Sequence, residues 1–147
     1  MTLALMLLVA SLTAARPGEA AELPKPLLDA YLQVQADLAA DKMDSVQSQA
    51  ATIEASASAL GSDAAALSAA AKTLQAARDI AAARKAFAEV SEALLAYADA
   101  TKTELPSDVR VAYCPMVNKP WLQKEQSLRN PYYGKSMLTC GSFKTPR

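Results

Sequence analysis

A chain of 147 residues with 15 basic and 15 acidic side chains, 5% aromatics and no histidine can bury one core of its own but is too short for two domains of ordinary size. The missing imidazole excludes Ser-His-Asp and Cys-His catalysis and every histidine-containing zinc or copper site. Abundant alanine with only 4 glycines favours helix over sheet, so the expected fold is all-α.

At the N-terminus, Leu3 to Ala10 form an apolar run too short to span a bilayer, which takes about 20 residues, and small residues and Arg16-Pro17-Gly18 come after it. This reads as a secretory signal peptide over residues 1–20, with Gly18 and Ala20 at the −3 and −1 positions and a mature chain starting near Ala21. No Lys or Arg precedes the run, which leaves two readings: a start placed too late, with a basic n-region missing, or an α-amino group that supplies the only positive charge. The alternative is a buried N-terminal helix, which Pro17-Gly18 would cut off from the rest of the chain. Export to a periplasm is the reading preferred, with no transmembrane segment in the mature chain, whose single domain spans 22–147.

Residues 22–103 are expected to form an up-and-down bundle of three to four helices. Leu27, Tyr31, Val34 and Leu38 mark one face of the first, widened by Leu28 and Leu32, with Pro24 and Pro26 tolerated in its first turn. Val46, Ala50, Ile53, Ala57 and Leu60 carry the second up to Gly61. Ser62 opens a third with Leu67, Ala70, Leu74 and Ala77. Asp79 opens a fourth with Ile80, Ala83, Phe87, Val90, Leu94 and Tyr97. No Gly or Pro separates the last two, which leaves one bent helix as an alternative. Carboxylates such as Asp37, Glu54, Glu89 and Glu92 are dispersed and form no Glu-x-x-His pair of the di-iron kind.

Residues 104–147 change character. This segment holds Trp121, both cysteines and Tyr113, Tyr132 and Tyr133, and helical spacing is lost among Pro, Asn and Gly. It is expected to be irregular and turn-rich, with Asn130-Pro131 starting a turn and Trp121, Tyr132 and Tyr133 pinning it onto the bundle. Charge divides along the same line: residues 22–101 carry 6 Lys and Arg against 11 Asp and Glu, and residues 102–147 carry 8 against 3. The positive charges are scattered singly, so the tail reads as attracted to its own acidic body, and nucleic acid is not expected as a partner.

The sulfurs sit in two short units, Cys114-Pro115-Met116 and Met137-Leu138-Thr139-Cys140. Two chemistries fit them. Soft ions such as Cu(I) and Ag(I) bind thiolate and thioether without imidazole or carboxylate. An exported chain with two cysteines also commonly oxidises them, and a Cys114–Cys140 bridge would stabilise the fold by about 3 to 4 kcal/mol on the chain-entropy model. Spacing alone leaves both open.

The strings "YCPM", "WLQ" and "NPYYGKSMLTCG", preceded by the helical "DIAAARKAFAEVSEAL", resemble a bacterial domain of unknown function. That domain occurs alone in exported proteins and at the C-terminus of periplasmic adaptor subunits of RND-type copper and silver efflux pumps. The resemblance runs from about Leu23 to Gly141, and Arg84, Phe87 and Ser91 stand at the family's helical spacing. It implies heavy-metal handling in the periplasm, with Cys114, Met116, Met137 and Cys140 as ligands for Cu(I) or Ag(I) and an efflux adaptor as partner. Tyr113 stands where the family often has His. A non-enzymatic metal-binding protein is therefore expected, with a disulfide-stapled interaction module of the envelope as the alternative.

Overall fold

The computed structural model describes residues 21–145. The signal segment and its cleavage site before Ala21 lie outside the described residues.

Four helices form where the apolar spacing places them: α1 Lys25–Ala39, α2 Val46–Ala59, α3 Ala65–Ala76 and α4 Ile80–Thr101. Their inward stripes coincide with the sequence pattern, and Leu27, Tyr31, Val34, Leu38, Val46, Ile53, Leu67, Leu74, Phe87, Val90 and Leu94 are fully buried. Local chemistry sets the ends. Pro24 and Pro26 fit the first turn of α1, where no intrahelical donor is lost. Asp79 caps α4 by accepting the Ala82 N–H at 2.8 Å. The third and fourth helices are separate, because Ala77 turns to extended backbone (ψ 133°) and Asp79 is extended as well.

The all-α expectation is overturned. Residues 110–143 contain a three-stranded antiparallel sheet of β1 Arg110–Cys114, β2 Lys119–Gln123 and β3 Ser142–Phe143, in the order β2-β1-β3. The register pairs Ala112 with Trp121 and with Phe143. The segment expected to be irregular thus satisfies its backbone through a ladder. Pro120 argues against a central strand, but it lies in β2, at the sheet's edge, where a missing N–H is tolerated.

The sheet does not extend a finished bundle. Successive helices pack on one another, whereas α1 and α4 touch only sparsely and β2 packs against both. Trp121 and Leu122 are fully buried there. Tyr132 meets Trp121 edge to face at 5.9 Å and Phe87 at 6.3 Å between centroids, and Phe87 stacks at 4.8 Å on Tyr31. Trp121 and Tyr132 thus pin the C-terminal segment as expected, while Tyr133 is only partly buried. One hydrophobic core runs through all four helices and the sheet. Of the charge attraction between body and tail, one ion pair stands out, Lys119 to Glu92 at 2.6 Å. Lys124 pairs with Asp108 within the tail itself.

Candidate metal centre

The two sulfur units meet at the end of β1. Cys114 is the last residue of that strand and is fully buried. Tyr113 pairs with Ser142, so the register carries Gly141 opposite Cys114, with Cys140 one residue beyond. Gly141 permits this approach. A Cβ there would stand 2.7 Å from the Tyr113 carbonyl oxygen and 2.9 Å from the Trp121 ring, and its φ of 139° favours glycine. Both cysteines are free thiols, and the β1–β3 register sets the Cys140 thiol beside Cys114. Burial, reinforced by Cys114 beside it, pushes the Cys140 thiol above its ordinary value.

The turn before β3 is held from two sides. Asn130, fully buried, donates its backbone N–H to Leu138 O at 2.7 Å and its side-chain amide to Cys140 O at 2.8 Å, and accepts the Tyr132 N–H. Cys140 in turn donates its N–H to Met137 O at 3.0 Å. Gln123 fixes the preceding loop: its side-chain oxygen accepts from the Trp121 indole and the Arg129 N–H, and its amide donates to Glu125 O and Ser127 O.

Of the four predicted ligands, the two thiols are brought together. Met116 lies in the turn between β1 and β2, and Met137 closes a short 3-10 turn, Gly134–Met137. Among the described residues these two methionines are the large hydrophobic side chains left exposed, at 62% and 36%. No three His, Cys, Asp or Glu side chains cluster as a metal-binding group among the described residues. An open groove of about 540 Å³ between α3 and α4 is lined mainly by alanine and contains no sulfur.

The polar residues that shape this region carried other readings in the sequence: Asp41, with Asp44, reads as the start of the second helix, which instead begins at Val46 after Ser45, Gln123 stood only within the string "WLQ", and Asn130 only as a turn residue. Arg84 and Ser91 entered only through the resemblance. A buried Gln or Asn leaves no periodic signal. No family model, curated protein or solved structure matches the chain. Among the described residues no helix is long and apolar enough to cross a membrane.

Proposed function

We propose that this chain is a non-enzymatic, exported protein that captures or chaperones Cu(I) or Ag(I) through the sulfurs of Cys114, Met116, Met137 and Cys140, in connection with efflux or tolerance. The observation that supports it is the thiol pair with exposed thioethers on the turns to either side. Large apolar side chains are ordinarily the first to be buried. Methionine alone among them offers solvent a soft donor atom. The buried Cys114 would anchor the ion, and the half-exposed Cys140 with its methionine neighbours would admit and release it. A periplasmic adaptor of a metal-efflux system is the partner that the family resemblance suggests.

Titration of the reduced protein with Cu(I) against a chromophoric chelator tests this. One equivalent is expected to bind. Cys114→Ser or Cys140→Ser abolishes binding and Met116→Leu or Met137→Leu weakens it. Unchanged affinity in all four variants would sink the proposal.

The same thiol contact also favours the second reading, a Cys114–Cys140 disulfide that staples the β1–β3 end of an interaction module. It predicts no free thiol in protein taken from the periplasm. Thiol labelling of native and unfolded protein separates the two.

A further inference from the structure

We propose that Arg84 and Asp41 are positioning residues for the second half of the sulfur site, holding the turn that carries Met137 and Cys140; this rests on the metal-binding reading above. Arg84 projects from α4 and reaches two chain segments remote from it in sequence. Its Nε donates to Pro131 O at 3.0 Å, and its Nη2 to Leu38 O at 2.9 Å and to Asp41 Oδ1 at 2.6 Å. The other carboxylate oxygen of Asp41 accepts the Lys135 N–H at 3.4 Å. One guanidinium therefore joins the end of α1 to the Pro131–Lys135 loop.

The seating is tight. A Cβ on Gly134 would lie 1.9 Å from Asp41 Oδ1 and 2.1 Å from Arg84 Nη2, so the pair lies flush on the backbone of Gly134, where the Met137 turn begins. Asp41 itself takes a left-handed backbone, φ 61°, a conformation Asp tolerates better than most residues but not without cost. An ordinary exposed ion pair, worth roughly 0 to 1 kcal/mol, would not account for a strained acid and a glycine-only contact at one point.

The chemistry gives the arrangement a use. Thiolates bind a soft ion strongly on their own, whereas a thioether is neutral and weak, and a freely swinging Met137 would lose much of its contribution to ordering. A turn fixed before the ion arrives removes that loss. Outer residues that orient ligands in this way typically change metal affinity by about 10- to 100-fold when altered.

The test uses the full reduced chain and Cu(I) supplied from a chromophoric chelator, with Asp41→Asn and Arg84→Lys alone and combined with Met137→Leu. Asn accepts the left-handed backbone and occupies the space of Asp. Expected is an affinity loss of about 10-fold or more with helical circular dichroism unchanged, shrinking to about 2-fold or less when Met137 is already Leu, since residues acting through one another are not additive. Wild-type affinity in both variants would overturn the inference and leave the metal reading standing. Equal losses with and without Met137, or loss of helix in Asp41→Asn, would overturn it by showing a merely structural prop. Absence of Cu(I) binding in the wild type would overturn the metal reading and the inference with it.

Discussion

Replacing Tyr31 by Phe should destabilise the protein far beyond the loss of one oxygen atom. Ser91 donates its hydroxyl to Phe87 O at 2.9 Å, so in the 2.6 Å contact between the two hydroxyls Tyr31 is the donor. Tyr31 is then free to accept the Leu122 N–H at 3.1 Å. The result is a directed chain from β2 to α1 to α4 in which every member is buried. Phe in place of Tyr31 leaves the Leu122 N–H with no partner and no water, a penalty of about 1 to 3 kcal/mol. For a domain of this size that corresponds to about 4 to 10 °C in melting temperature. Thermal unfolding followed by circular dichroism measures it, and Ser91→Ala in the same background should then cost less than it does alone, because the two hydroxyls act as one unit. A shift of less than about 1 °C for Tyr31→Phe would refute the reasoning.

Three further outcomes are expected. Gly134→Ala meets Asp41 and Arg84 below van der Waals contact and must hold a positive φ of 57°, so a loss of about 2 to 4 kcal/mol is expected in urea unfolding. The Cys140 thiol holds its proton to higher pH than usual, and metal needs the thiolate, so Cu(I) affinity should rise with pH through neutrality by up to about tenfold per unit for each proton displaced. The same shift has a stability sign. A thiol whose folded value is raised supports the reduced fold fully below the ordinary thiol range, and that contribution is lost as pH rises through the folded value. Alkaline unfolding of the reduced protein should therefore be eased in wild type relative to Cys140→Ser.

The helices were legible because burial imposes a 3.6-residue period, and most residues assigned to the inner faces from Leu27 to Leu94 are inside, with Leu32, Leu60 and Ile80 only partly buried at their margins. The break after Ala77 was less visible, since it is made by backbone and the Asp79 cap rather than by Gly or Pro. The sheet was not legible. Its strands span five residues or fewer, Pro120 interrupts the donor pattern, and β2 buries Trp121, Leu122 and Gln123 in succession, which hides the alternation that betrays a half-exposed strand. Of the candidate site, Cys114 and Cys140 were legible as a pair by chemical type, but their contact depends on the β1–β3 register. Arg84 and Asp41, 43 positions apart in sequence, could be joined only by the packing of α4 beside the end of α1.

Because β2 fills the seam between α1 and α4, the C-terminal segment is the keystone of the helical ring. Removing residues 104–147 would bare Tyr31, Phe87 and the hydroxyl chain to water, so the sulfur turns and the helices must unfold together. Whatever binds those sulfurs then pulls on the whole equilibrium, raising global stability by RT ln(1 + [L]/Kd). If the proposed Cu(I) or Ag(I) binding holds, loading would be read as a rise in melting temperature, at any amide of the core.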